Sequence, residues 1–356
     1  EKKISLSAKK KVKIESKWDL IKFSDAIEVE YGKRIVKQKD QGSIYPVYGG
    51  GNETFKSDEY NREDRFIISR FGMSPECIRF VKGKFFLNDS GFTVKPKLNN
   101  LDEAYLNKFL FSNQLMIYNC GRGVAQKNID FEAFNSLKIP LPPLDIQKKI
   151  VSEIEVMEKQ EQKAVEEIHS YQNEIKEIIN DLNRYEKFTL ESISENLDNL
   201  RKPVTKSDRE NGVYPYYGAS GVVDFVADYL IDDTVLLISE DGANLKSRVY
   251  PIAFTASGKI WVNNHAHVLK FEDNATHKLV ELYINQTDIS EYITGQAQPK
   301  LNQKNLNGIK IPLPPIEEQK KIVAEIEKIE TKIAVLEKQI ADIPKQKEKI
   351  LKKYLE

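Results

Sequence analysis

Glycine-rich turns flanked by cations and amides are the residues of this chain best placed to do chemistry, and that chemistry is recognition. Tyr48-Gly49-Gly50-Gly51-Asn52 and Tyr217-Gly218-Ala219-Ser220-Gly221 let bare backbone approach a phosphate, or simply close a strand. Tyr48, Gly50 and Asn52 are the candidate contacts in the first turn, and Tyr217 and Ser220 in the second. Ser69-Arg70-Phe71-Gly72 sets Arg70 just past a strand-like run, where a guanidinium suits the paired acceptors of a guanine edge. Its counterpart, Ser239-Glu240-Asp241-Gly242, is acidic. A carboxylate there can accept from a cytosine amine or tie down its own loop. Lys82 and Lys84 flank Gly83, and Lys246 and Arg248 are expected in a comparable place, as phosphate contacts or as solvated charges.

Further along, Arg122, Gln126, Lys127 and Asn128 face Gln296, Gln298, Lys300 and Asn302. Amides suit an adenine edge, although recurrence equally suits a structural turn. In Asn263-Asn264-His265-Ala266-His267, strand alternation would bring both imidazoles to one face, as a metal pair requires. No nearby Cys or further His completes a ligand set, so Asn264 and His265 read as structural or ligand-facing polar groups. Catalytic patterns are missing. The chain has no phosphate-binding G-x-x-x-x-G-K-[ST] loop, no H-E-x-x-H, and no Asp/Asn-Pro-Pro-Tyr/Phe run of the adenine-methylating type.

What must position these residues is a duplicated frame. Residues 139–155 read IPLPPLDIQKKIVSEIE and residues 311–327 read IPLPPIEEQKKIVAEIE, 172 positions apart in a chain of 356. Lys22-Phe23 answers Lys187-Phe188, Ile68-Ser69 answers Ile238-Ser239, and Gly123, Ala125 and Gln126 answer Gly295, Ala297 and Gln298. Between these landmarks the copies diverge, as expected of one job done on two targets.

Each copy predicts a globule and a helix. Runs such as Arg65-Phe66-Ile67-Ile68-Ser69 and Thr234-Val235-Leu236-Leu237-Ile238 predict strands. Tyr105, Leu106, Phe109 and Leu110, and likewise Leu279, Val280 and Tyr283, predict one helix late in each globule. The junction prolines make stiff extended connectors; an SH3-type ligand is the less favoured reading of the same composition. After them, Ile150, Ile154, Met157, Glu161 and onward to Tyr185 follow spacings of four and three, as do Ile322, Ile326, Ile329 and onward to Tyr354. Only Glu161 and Lys347 break the apolar seam, and Pro344 is expected to kink or fray the second helix. The two helices are expected to pair antiparallel with each other, the alternative being a stalk for homodimerisation.

The chain carries 54 basic and 54 acidic residues, which excludes a grip on a polyanion by overall charge alone. Charge is nonetheless uneven, with eight lysines against three acids in residues 1–23 and seven basic against eleven acidic residues in 144–187. No apolar run approaches the length of a membrane span, and the start lacks a signal-peptide layout. Cys77 and Cys120 suit a reduced cytoplasmic setting, with a disulfide as the alternative.

On the doubled IPLPP-x3-QKKIV-x-EIE junctions, and on ISEDGANL (238–245), FTASGK (254–259) and WVNNHAHVL (261–269), the chain resembles the specificity subunit of type I restriction–modification systems. The resemblance covers nearly everything after residue 17. It implies a mixed α+β protein of two tandem target-recognition domains, each followed by a long helix, the helices forming an antiparallel coiled coil. The expected divisions are a basic leader (1–16), domain 1 (17–138), junction and spacer helix 1 (139–186), domain 2 (187–310), and junction and spacer helix 2 (311–356). It implies a non-catalytic subunit that binds double-stranded DNA at an asymmetric bipartite site. It also implies docking to methyltransferase subunits, which hold S-adenosylmethionine, and to a restriction endonuclease subunit; no cofactor is expected on this chain. The family's subunits begin with Met just before the first globule, whereas a basic leader stands here, so a processed chain and a fused methyltransferase–specificity protein are both open. A protein-binding coiled-coil scaffold is the rival of another class.

Overall fold

The structure, a computed structural model, describes residues 14–124 and 126–356; leader residues 1–13 and the landmark Ala125 lie outside the described residues. It divides into two compact units, residues 1–164 with 338–356, and residues 165–337. The division cuts both long helices, Leu144–Asp181 and Ile316–Leu355, so each unit holds one globule and a stretch of each helix.

In the first unit the chain enters through β1 (Leu20–Lys22). It then builds a sheet from β2 (Ile27–Tyr31), β3 (Tyr45–Tyr48), β4 (Phe55–Ser57), β5 (Arg62–Ser69), β6 (Ile78–Leu87) and β7 (Gly91–Pro96). Their spatial order is β2-β7-β5-β6-β3-β4, antiparallel throughout except where β3 runs parallel to β6. Helix α1 (Glu103–Ser112) starts at Asp102, whose carboxylate accepts from the Tyr105 amide, and it buries Tyr105, Leu106, Phe109 and Leu110. The chain leaves through β8 (Lys138–Pro140), which pairs with β1 in the register Leu20↔Pro140 and Lys22↔Lys138. Each globule is thus closed where it begins and ends, and a proline at the last position of so short a ladder forfeits little.

The second unit repeats the scheme. β9 (Lys187–Thr189) precedes β10 (Glu195–Asn196), β11 (Asn211–Gly218), β12 (Gly221–Val226), β13 (Ile231–Asp232) and β14 (Val235–Ser239). Helix α2 (Asn244–Ser247), β15 (Ala253–Ala256), β16 (Lys259–Val262), β17 (Ala266–Lys270), α3 (Asn274–Gln286) and β18 (Lys310–Pro312) follow. β9 pairs with β18, and the rest form two four-stranded sheets, β10-β17-β14-β15 and β12-β11-β16-β13. One difference between the globules lies in the middle of the sheet. In the first, β6 runs on through Gly83, whereas in the second the equivalent chain breaks at Gly258 into β15 and β16; both glycines hold φ +78°.

The long helices run antiparallel in each unit. In the first, Lys353 Nζ lies 2.7 Å from Glu153 and Lys347 Nζ 3.2 Å from Glu161, so one number falls as the other rises. In the second, Tyr185 donates to Glu318 at 2.6 Å, and Lys332 sits 5.0 Å over the Tyr171 ring. The buried stripe is wider than the expected seam: Ile179, Val323, Leu351 and Leu355 are buried beside it. The helix ends pack into the globule cores as well as against each other, with Ile150 and Leu351 in one core and Ile179 and Val323 in the other. The helix does not fray at Pro344 but continues through it to Leu355. Ile343 and Lys347 are buried on either side, and that packing outweighs one missing backbone donor. Among the described residues, no helix is long and apolar enough to cross a membrane.

Candidate nucleic-acid interface

In the first globule four loops converge at the Ser69 end of β5. Ser69 Oγ donates to the Gly50 carbonyl at 2.6 Å, and Arg79 Nη2 donates to the same oxygen at 2.8 Å, pinning the 48–52 turn. The Arg70 amide donates to Ser90, its carbonyl accepts from Ile129, and the Met73 amide donates to Lys127. Arg70 therefore sits among the 48–52, 69–73, 88–90 and 122–129 segments. Its guanidinium lies 5.2 Å from the Tyr31 ring and 4.7 Å from the Phe71 ring, with one long bond of 3.4 Å to the Asp89 carbonyl. Stacking fixes the plane of the fork while leaving most of its donors available to a ligand. Around it, Asn52 is exposed and accepts from Arg79 at 3.3 Å, and Arg122 pairs with Asp130 at 2.5 Å with 75% of its side chain exposed. Gln126 is exposed, Lys127 Nζ lies 3.8 Å over Tyr118, and Tyr48 packs edge-on against Phe85.

The second globule uses the same device with other side chains. Ser239 Oγ donates to Ala219 at 2.5 Å, as Ser69 does to Gly50, and so holds the turn that carries Tyr217 and the exposed Ser220. The Glu240 amide donates to His265, the Leu301 amide to Glu240, the Gly242 amide to Pro299, and the Asn263 amide to Tyr217. Tyr217, Ser220, Asn264, His265, Gln296, Gln298 and Lys300 thereby share one end of the globule, and the last five are exposed. Where Arg70 stands in the first copy, Glu240 here accepts from Arg201 Nη1 at 2.5 Å, and Lys300 Nζ lies 3.1 Å away. Burial opposes its charge, but those two cations hold its carboxyl below the usual glutamate range. The loop-stabilising role is the one its contacts describe. Gly123 and Gly295, at φ +115° and +81°, let their loops fold back so tightly that a Cβ would lie 2.1 Å from the Gln126 carbonyl and 2.3 Å from that of Gln298. The recurrence of this Gly…Gln pattern thus has a structural reason.

Two expectations need correction, and one pair of candidate residues stands apart. Lys82 and Lys84 are not among the converging loops: both lie on β6, with Lys84 opposite Glu63 at the far end of β5 from Ser69. Nor do Lys246 and Arg248 occupy a comparable place. The true counterpart of Lys84 is Lys259, since the parallel pairings Tyr48↔Leu87 and Tyr217↔Val262 align the two strands. Lys84 sits 4.6 Å over Tyr60 and Lys259 4.7 Å over Tyr229, a shared stacking contact that divergent spacing concealed. Lys246 Nζ donates to the Gly295 carbonyl, and Arg248 turns inward to carbonyls of Ile284 and Thr287, where burial lowers its pKa. Finally, His265 and His267 do not share a strand face. His265 lies in the exposed turn before β17 beside Asp241, at 2.9 Å. His267 is buried, with Nδ1 2.6 Å from Asp198 and Nε2 2.7 Å from the Leu301 carbonyl.

Sequence reading passed over Gln147 and Gln319, which stand in plain view within the repeated motif. Both are buried. Gln147 Nε2 donates to the carbonyls of Pro142 and Asn100 while Oε1 accepts from the Asp102 amide. Gln319 Nε2 donates to Pro314, and its Oε1 accepts from Thr276. Each glutamine locks its proline connector to the helix start and to the globule. Cys77 and Cys120 are both free and buried, and burial pushes each thiol up to about 11.

With this geometry in view, comparison with known proteins is informative. The family model described as the type I restriction modification DNA specificity domain matches twice, over residues 15–170 and 183–345. A putative type I restriction enzyme specificity subunit of Haemophilus influenzae is 36% identical over 135 residues, 38% of this chain; the match spans about a third (34%) of that relative's length. Among solved structures, the type I restriction-modification S subunit from M. genitalium superposes with a TM-score of 0.55 at 18% identity, covering 99% of each chain. A chain from a study of complex assembly and conformational transition of the type I R-M system superposes at 0.54 with 15% identity, covering 95% of this chain and 97% of that one. These two likenesses are of fold.

Proposed function

This chain belongs to the family of type I restriction modification DNA specificity domains, and from that premise we propose that it is a non-catalytic subunit reading an asymmetric bipartite site on duplex DNA. Each globule reads one half-site through the loops gathered at the end of β5 or β14. The long helices set the distance between the half-sites and dock methyltransferase subunits, which hold S-adenosylmethionine, while a restriction endonuclease subunit completes the assembly.

One observation carries this reading. The same serine-to-turn bond frames the site in both globules, yet what stands next to it is Arg70 in one and Glu240 in the other. A constant frame with changed contents is what two readers of different sequences require. Replacing residues 17–138 with another family globule, followed by methylation mapping of a host carrying the whole system, should change one half of the methylated sequence and leave the other intact. Change in both halves, or in neither, would sink the two-reader reading. A protein-binding scaffold makes a different prediction in a salt series: only phosphate contacts make duplex affinity fall steeply as salt rises.

A further inference from the structure

The loop after β14 is built to hold an apolar tip still. Arg248 adopts φ +49°, a left-handed conformation that a bulky side chain rarely takes. Its guanidinium ties the loop to the C-terminal end of α3, donating to the carbonyls of Ile284 at 2.9 Å and Thr287 at 3.3 Å as well as to Leu245 at 3.2 Å. Asn244 brackets the other end, donating to the Tyr250 carbonyl at 2.9 Å and accepting from its amide at 3.1 Å. Between these anchors Val249 and Tyr250 remain 69% and 65% exposed. Neither side chain is packed in a core, and strain held in place by surrounding bonds clusters at binding sites. Their surroundings identify the ligand: Lys246 ties the loop to Gly295, beside exposed Gln296, Gln298 and Lys300. An apolar tip on a loop tied to the segment that carries these exposed amides and Lys300, whose ammonium Glu240 holds, suits DNA, which offers stacked apolar base faces inside a polyanionic backbone.

We propose that Val249 and Tyr250 form a wedge that enters the base stack at one step of the half-site read by the second globule, with the Tyr250 ring stacked on a base. The wedge makes specificity depend on how easily that step opens, favouring a pyrimidine–purine step, in addition to any base-edge contact. This rests on the DNA-recognition reading above. Among the described residues, the corresponding loop of the first globule has no such bracket, and it exposes Phe71 beside Arg70 instead.

The test uses the full chain assembled with its methyltransferase subunits, on duplexes carrying the mapped site with 2-aminopurine placed in turn along the second globule's half. The unaltered complex should raise fluorescence at one step. Tyr250→Phe should keep that rise, because the hydroxyl is not needed for stacking. Tyr250→Ala should abolish it and weaken binding about tenfold, leaving a duplex without the site bound as before. The wedge is overturned if Tyr250→Ala matches the unaltered complex, or if no position brightens although the site is bound specifically. It is also overturned if Tyr250→Ala blocks assembly with the methyltransferase while the chain alone still prefers its site, for then the tip is a protein contact. If the unaltered complex prefers no duplex at all, the DNA-recognition reading falls and the wedge with it.

Discussion

Lys347 Nζ lies 3.2 Å from the Glu161 carboxylate, joining the two polar residues that interrupt an otherwise apolar helix seam. Lys347 is only 9% exposed, and Glu158, itself bonded to Lys108 of α1 at 2.5 Å, stands 3.8 Å away. In the other unit Lys278 of α3 pairs with Glu330 at 2.8 Å, the repeat of the Lys108–Glu158 bond. A slip of either helix by one heptad would bury Lys347 without a carboxylate. Such a pair sets register at some cost in stability.

Lys347→Met should therefore weaken the first unit by about 1–2 kcal/mol, less than a fully buried pair because the Glu161 side chain is 39% exposed and can rehydrate. Exchanging the charges, Glu161→Lys with Lys347→Glu, should restore most of the loss in a denaturation double-mutant cycle. Replacing both with leucine should preserve stability but admit alternative pairings, visible as mixed oligomers in sedimentation. A uniform monomer there would remove the register role.

The glutamine locks predict local rather than global damage. Gln147→Ala strands two carbonyls and the Asp102 amide, costing about 2–4 kcal/mol, and should accelerate amide exchange around β8 and the start of the first long helix. Gln319→Ala should loosen the second junction instead and do so less, since fewer partners lose their bond. Equal exchange at both junctions in either variant would count against the assignment.

Arg70 and Lys84 separate reading from scaffolding. Arg70→Ala should relax one position of the first half-site, by about 1–3 kcal/mol of discrimination, because its stacked fork lies among the converging loops. Lys84→Ala should leave the methylated sequence unchanged, since Lys84 covers Tyr60 at the other end of β5. Methylation mapping of both variants decides the matter.

His277 makes the second unit sensitive to acid. Burial, reinforced by Lys278, lowers its pKa below the ordinary 6.5, and its Nε2 lies 2.8 Å from the Thr255 hydroxyl, which donates onward to Glu281. Because the unfolded chain then binds the proton more readily, stability rises with pH through the window between the depressed value and 6.5, and is fully present above it. His277→Gln should flatten that dependence when melting is compared between pH 7.5 and 5.5; an unchanged slope would show that other groups cause it.

Much of this protein is local, and local information is legible in a sequence. The run to Ser69, the helix stripe at Tyr105–Leu110 and the spacings of four and three after each proline junction are periodicities, and a periodicity states which face is buried wherever the chain goes. The duplication followed from identity at a fixed offset. Tertiary structure alone decided the pairings. Glu161 and Lys347 meet across 186 residues, Lys84 corresponds to Lys259 rather than to Lys246, and His265 and His267 part because the strand begins between them. Each of these depends on strand register or helix alignment, which is settled by many weak contacts acting together. No residue spacing encodes that sum, so the sequence by itself marked Glu161 and Lys347 as exceptions, and only folding made them partners.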